Sequence, residues 1–251
     1  MLGCVGLGLV AFLSASAGAA SQAGSEDPAA GLTPQQVEKI VHDYLLREPE
    51  VIYQALQELQ KRQQAAKADR QKAAVAANHA QLFQQANDPV GGNPDGDVTV
   101  VEFFDYQCHY CRQVMPSLRA QLQEDKKLRV VFKDFPILGD KSVTAARAAL
   151  AARKQGRYVP FHFALMGASD LSLNGIMAVA KSVDIDTKRL AADMNAPEIE
   201  AQIKANYALA RRLGIEGTPA FVIGDQLIPG ALDKTRLAEL IQEVRTGCVS
   251  C

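Results

Sequence analysis

The stretch Asp105-Tyr106-Gln107-Cys108-His109-Tyr110-Cys111 holds the residues best suited to chemistry in this 251-residue chain. Two thiols with two residues between them can be half of a metal site, a structural staple, or a pair that exchanges disulfides. The neighbouring pattern bears on the choice. Val98 to Phe104 is a continuous β-prone run of the kind found in buried strands, and the residues from Tyr110 onward read as helix. Cys108 is therefore expected at a helix N-terminus, where free N–H groups and the helix dipole favour a thiolate. Cys111 then sits one turn in, more buried and within reach. That asymmetry suits exchange: Cys108 attacks and Cys111 resolves the mixed disulfide. His109, when protonated, adds to the stabilisation of the Cys108 thiolate, and Tyr110 completes the pair's intervening residues.

Compartment decides whether such thiols work as a redox couple. Residues 1–19 carry no charge, an apolar centre and the small-residue end Ala17-Gly18-Ala19. They resemble a secretory signal peptide cleaved after Ala19, although no Lys or Arg precedes the apolar run. The alternative, a membrane anchor, suits a longer stretch poorer in Gly, Ser and Ala. Cleavage would remove Cys4 and leave four cysteines in two C-x-x-C pairs, Cys108/Cys111 and Cys248/Cys251. Export implies the periplasm, an oxidising space, and a disulfide-stapled scaffold would spread more cysteines along its chain. A net charge of −1 gives no electrostatic case for binding nucleic acid or a membrane surface.

The elements that must position the thiols follow from periodicity. Residues 20–31 read as a flexible leader. Thr33, Pro34 and Gln36 form a helix start with a capping box, and Val37, Ile40, Val41, Tyr44 and Leu45 follow at helical spacing. Pro49 starts a second helix with Val51, Ile52, Ala55, Leu56 and Leu59 on one face. Residues 60–81 are rich in Ala, Gln and Lys and read as a solvated helical spacer. Two short apolar stripes cannot form a core alone. Either residues 32–60 associate with other copies, as a dimer or trimer, or they fold back on their own chain. Residues 87–97 are dense in turn residues. A second buried strand is expected over 128–135, so strand, helix and strand form a right-handed parallel crossover. A helical block over 142–194, a helix from Pro197 to Leu213, two short strands around Gly224-Asp225 and a final helix from Leu232 to Arg245 complete the chain. His162 reads as a core histidine, and His42 and His79 as residues without a chemical role.

The segments VVEFFDYQCHYC, VVFKDFPILG and GIEGTPAFVIG, spanning roughly 98–224, resemble the DsbA-type branch of the thioredoxin superfamily. The resemblance implies an α/β thioredoxin fold with an inserted helical domain at about 140–195. A helical stalk over 32–81 precedes a catalytic domain over 82–247, and 248–251 form a C-terminal tail. It further implies a cis Thr218–Pro219 bond that offers the backbone of Thr218 to an extended client chain. An ordinary trans proline opening a strand is the other reading. Glu102, six residues before Cys108, is implied as a buried proton acceptor for Cys111, with Lys133 as its partner; a buried ion pair without a kinetic role is the alternative. Asp105 is expected as an exposed residue at the strand end. Residues 32–60 resemble the N-terminal segment of ScsC-like and Com1-like proteins.

The implied function is that of a periplasmic thiol-disulfide oxidoreductase, an isomerase with some dithiol oxidase activity. It needs no cofactor beyond its own Cys108–Cys111 disulfide. Its implied partners are exported cysteine-containing clients, a membrane redox partner and other copies of itself. A DsbA-like oxidase without isomerase activity, a copper(I)-binding thiol protein, and a surface antigen with incidental thiols are the alternatives. The tail pair Cys248/Cys251 could close its own disulfide, relay electrons, pair between subunits, or join Cys108 and Cys111 in a metal site.

Overall fold

The computed structural model describes residues 31–247; the expected signal peptide, nearly all of the leader and the Cys248/Cys251 pair lie outside the described residues. Thr33 caps α1 (Pro34–Arg47) as its pattern requires, accepting from the Gln36 N–H while the Gln36 side chain accepts from the Thr33 N–H. Pro49 then precedes α2 (Glu50–Ala77) and α3 (His79–Phe83) follows. The chain divides into two compact units between residues 59 and 60. In the first, Val37, Ile40, Val41 and Tyr44 of α1 are 43, 53, 49 and 41% exposed, and Ile52, Leu56 and Leu59 are also exposed.

The second unit is built on five strands: β1 (Val90–Gly92), β2 (Val98–Phe104), β3 (Leu128–Asp134), β4 (Ala220–Ile223) and β5 (Gln226–Pro229). Their order is β1-β3-β2-β4-β5, with β2 and β3 parallel and the other pairs antiparallel. The helix α4 (His109–Glu124) makes the expected crossover between β2 and β3. The inserted block consists of α5 (Asp140–Ala152), α6 (Tyr158–Met166), α7 (Leu173–Ser182) and α8 (Thr187–Asp193); α9 (Pro197–Leu213) leads back to the sheet, and α10 (Lys234–Thr246) closes it.

The strand β1 lies in the stretch that its composition marks as turns. Its glycines explain the difference. Gly92 has φ +77°, and a Cβ there would stand 2.4 Å from the Leu128 carbonyl oxygen. Only glycine permits this close edge pairing, and it is the same residue type that signals a turn.

Side-chain parity divides the core in two. One sheet face presents Val98, Val100, Phe104, Leu128, Val130 and Phe132 to α4, α10 and the inserted helices. The other presents Val101, Phe103, Val131 and Val222 to Leu209 and Leu213 of α9 and to Val75 and Leu82. The end of α2 is thus not the solvated spacer that its composition suggests. Val75 is 2% exposed, and the Arg212 Nε donates to Asn78 Oδ1 at 2.7 Å. The second unit takes in residues well before Leu82. One buried Val per several turns is too sparse to register as an apolar stripe. Among the described residues, no helix is long and apolar enough to cross a membrane.

Candidate active site

Cys108 is the N-cap residue of α4, in extended conformation with φ −69° and ψ 117°. Cys111 lies one turn into the helix. Both are free thiols; Cys108 is 6% exposed and Cys111 is fully buried. The asymmetry expected from spacing alone is therefore present. The Cys108 thiol donates to the Thr218 carbonyl oxygen at 3.1 Å. The Thr218–Pro219 bond is cis, so the trans alternative falls, and residues 110 positions apart meet at one site. His109 and Tyr110 are exposed and stack edge to face at 5.8 Å between ring centroids.

Burial and charge set the ionisation of the deeper groups. Burial, with the Glu102 carboxylate next in weight, pushes the Cys111 thiol well above its usual range. Glu102 is itself fully buried, and neither of its oxygens has a hydrogen-bond partner. Burial first, and then the charge of Asp134, push Glu102 up to about 8. The Glu102 carboxyl thus lies close enough for its charge to bear on the ionisation of the Cys111 thiol.

Lys133 is not the partner of Glu102. In the β2/β3 register Phe103 pairs with Lys133 and Glu102 with Phe132, so Lys133 points to the opposite face of the sheet. There its ammonium donates to Asp88 and, at 2.6 Å, to the Gln81 carbonyl, with both charged side chains almost wholly buried. Burial pulls Lys133 down and pushes Asp88 up, each opposed by the other's charge. This ion pair fastens the segment before β1 to the sheet; it does not touch the thiols.

Asp105 is likewise not exposed: it is 1% accessible. Its Oδ1 accepts from the Gln107 N–H and the Ser142 hydroxyl, both at 2.7 Å. Its Oδ2 accepts from the N–H groups of Ile137 and Leu138, at 2.7 and 2.9 Å. One carboxylate thereby holds the loop carrying Cys108 against the start of the inserted block. Asp105→Ala is expected to leave three backbone donors and a hydroxyl without this acceptor, costing roughly 3 kcal/mol. A thermal scan of the reduced protein should register this as a fall in Tm of about 10 °C; a fall of a degree or less would mean that water replaces the carboxylate.

His162 is the core histidine that the sequence suggests. Burial holds it down to about 3, so it is neutral, and its Nδ1 meets the Tyr106 hydroxyl at 3.1 Å. His42 lies on α1 and His79 on α3. Sequence reasoning missed Asp134 and Tyr158. Asp134 is fully buried and accepts from the Tyr158 hydroxyl at 2.8 Å. Its signal was present: two charged residues in succession, Lys133 and Asp134, inside a buried strand must place one charge on each face. Among the described residues, no group of three or more His, Cys, Asp or Glu side chains is arranged to hold a metal ion.

Comparison with known proteins agrees with this geometry. Residues 99–242 match the model of the DSBA-like thioredoxin domain, and residues 35–66 match that of the copper resistance protein ScsC N-terminal domain. A thioredoxin-like oxidoreductase from Silicibacter pomeroyi DSS-3 is 48% identical, with a TM-score of 0.65 over 67% of this chain and 98% of that one. A linker-deletion mutant of Proteus mirabilis ScsC is 28% identical, with a TM-score of 0.68 over 87% of this chain and 99% of that one. The Na(+)/H(+) antiporter NhaA of Herminiimonas arsenicoxydans is 28% identical over 164 residues, 64% of this chain and 26% of that protein. The chain thus spans about a quarter of the length of the first curated relatives it matches. With a strand-to-helix dithiol, a cis-proline loop against it and a family match over most of the second unit, the chain belongs to the DsbA-like thioredoxin domain family of thiol-disulfide oxidoreductases.

Proposed function

We propose that the protein is a periplasmic disulfide isomerase with some dithiol oxidase activity, acting on exported cysteine-containing proteins through Cys108 and Cys111. The carrying observation is the contact between the Cys108 thiol and the Thr218 carbonyl. It puts the nucleophile beside backbone that can pair with an extended client chain. The Cys108 thiolate attacks a client disulfide, one client sulfur leaves as thiolate, and a mixed disulfide forms. If a second client thiol then attacks, the client is rearranged without net redox change. If Cys111 attacks, with Glu102 taking its proton, the client is reduced and the protein is oxidised. Client oxidation is the reverse path, and a membrane redox partner would restore the disulfide that it consumes.

Two further features support isomerase action. Apolar side chains at Val37, Ile40, Val41 and Tyr44 are exposed, and this segment falls within the ScsC-type match. Self-association through residues 32–60, as a dimer or trimer, would cover them and set several active sites around one client. The signal-like residues 1–19 support export. A second reading is copper(I) binding by the same two thiols, favoured by the match of residues 35–66 to the N-terminal domain of the copper resistance protein ScsC.

Refolding of scrambled-disulfide ribonuclease tests the proposal, comparing full-length mature protein with a variant starting at Gln60. That start keeps Val75, Asn78 and Gln81, which belong to the second unit's packing. The truncated protein should sediment as a monomer and unscramble on the order of 10-fold more slowly, while oxidising a reduced peptide at an unchanged rate per site. Equal unscrambling by both forms would sink the role given to the stalk. Stoichiometric copper(I) binding without unscrambling by either form would favour the second reading.

A further inference from the structure

Asp134 is a fully buried carboxyl that the exchange chemistry above leaves unused. It ends β3 on the same sheet face as Glu102. Glu102 pairs with Phe132 and Phe104 with Asp134, so the two carboxyls are diagonal neighbours on adjacent strands. With strands about 4.8 Å apart and a rise of about 3.3 Å per residue, such neighbours stand about 8 Å apart at the backbone, within reach of a Glu and an Asp side chain that turn toward one another. Both Glu102 oxygens and Asp134 Oδ1 lack any partner among the described residues, and Asp134 Oδ2 is held by the Tyr158 hydroxyl. The lysine nearest in sequence does not compensate them, because Lys133 is turned away and bound to Asp88.

Two neighbouring carboxyls sealed from water do not both ionise at neutral pH; one keeps its proton. The groups facing the pair are Cys111 on α4, Tyr106 in the loop after β2, and Tyr158 and His162 on α6. Asp105 and Asp88 add negative charge from farther off. His162 is neutral and the two tyrosines stay protonated, so the carboxyls and the thiol are the groups that trade protons in the working pH range.

We propose that Glu102 and Asp134 act as one proton-sharing pair, in which Asp134 is a positioning residue that sets the pH at which Glu102 can accept the Cys111 proton. This rests on the reading of Glu102 as that acceptor. In the mixed disulfide the Cys111 S–H proton passes to the Glu102 carboxylate, and the sulfur's electron pair attacks Cys108. The Cys108–client S–S bond breaks, its electron pair leaves on the client sulfur, and the Cys108–Cys111 bond forms. Overall the protein's dithiol gives up two electrons to the client disulfide. Tyr158 fixes Asp134 by its hydrogen bond.

The test is the rate of Cys108–Cys111 closure when reduced full-length protein meets excess oxidised glutathione, quenched and weighed by mass spectrometry from pH 5 to 9. The wild-type rate should rise through an inflection as Glu102 ionises. Asp134→Asn should move that inflection down by about one pH unit, because a like charge is removed. Glu102→Gln should abolish it and slow closure at least about 10-fold at pH 7. An Asp134→Asn profile that superposes on wild type, while Glu102→Gln loses the inflection, overturns the pairing and leaves Glu102 as a lone acceptor. A wild-type profile in Glu102→Gln overturns both. Should Asp134→Asn fail to fold, carboxyl-carbon NMR of the wild type decides: two inflections at Glu102 support the pair, and a single inflection sinks it.

Discussion

Cys108→Ser is expected to lower both oxidation of reduced peptide and unscrambling of ribonuclease by at least about 10³-fold, because unscrambling begins with attack by that sulfur and oxidation with attack of a client thiolate upon it. Cys111→Ser should behave differently. Its fully buried thiol is displaced toward the protonated form, and it serves as the leaving group in client oxidation and as the resolving thiol in client reduction, with no part in rearrangement by a client thiol. Without it, oxidation of a dithiol client fails by a comparable factor. Mixed disulfides between Cys108 and client accumulate and can be counted by mass. Unscrambling should persist at a measurable fraction of the wild-type rate, since a client thiol can release the intermediate with no help from Cys111. Equal loss of unscrambling in both variants would mean that the protein works by reduction and reoxidation, not by rearrangement.

The second large effect is on stability. Glu102 has an ordinary value of 4.5 and is pushed up to about 8 by burial and by Asp134. Below pH 4.5 the carboxyl is protonated in both folded and unfolded chains and adds no pH dependence. Between about 4.5 and 8 the unfolded chain ionises first and binds fewer protons, so the stability of the wild type must fall as pH rises through that window. The full displacement corresponds to roughly 3–5 kcal/mol for a completely buried group. Glu102→Gln cannot ionise and should escape its share of that fall. Denaturant unfolding of the reduced protein at pH 5 and pH 8 measures it. The variant should gain on wild type by several kcal/mol between the two values, whatever constant penalty its unpaired amide adds. Asp134, also pushed up to about 8 by burial, contributes a slope of the same sign, so Glu102→Gln flattens the profile in part and adding Asp134→Asn flattens it further. Parallel profiles for wild type and Glu102→Gln would place the ionisation elsewhere.

Features set by short-range physics could be read from the residues in order. The Thr33 capping box, the helix start after Pro49 and the position of Cys108 as N-cap are each decided within a few residues. The same holds for the turn at Gly224-Asp225 between β4 and β5. The family-specific segments around Cys108 and Pro219 added the likeness that tied the two loops together. Parity along β2 likewise marks Glu102 as sharing a face with Val98, Val100 and Phe104, because side chains alternate strictly along a strand.

Strand pairing alone sets which face meets which across segments distant in the chain. Lys133 and Asp134 are adjacent, and one residue of register determines which of them lies beside Glu102; the observed pairing chooses Asp134 and sends Lys133 to Asp88. Asp105 reads as a strand-end polar residue until the 137–142 segment arrives to fill its oxygens with donors. Val75 and β1 join the core through contacts with α9 and β3 that no local pattern announces. Residue type and local period were enough to mark the thiol pair and its helix, and the fold followed from the likeness of the segments around Cys108 and Pro219 to a known family. The proton environment of the thiols was decided by register and by burial, which exist only once separate strands have been laid side by side.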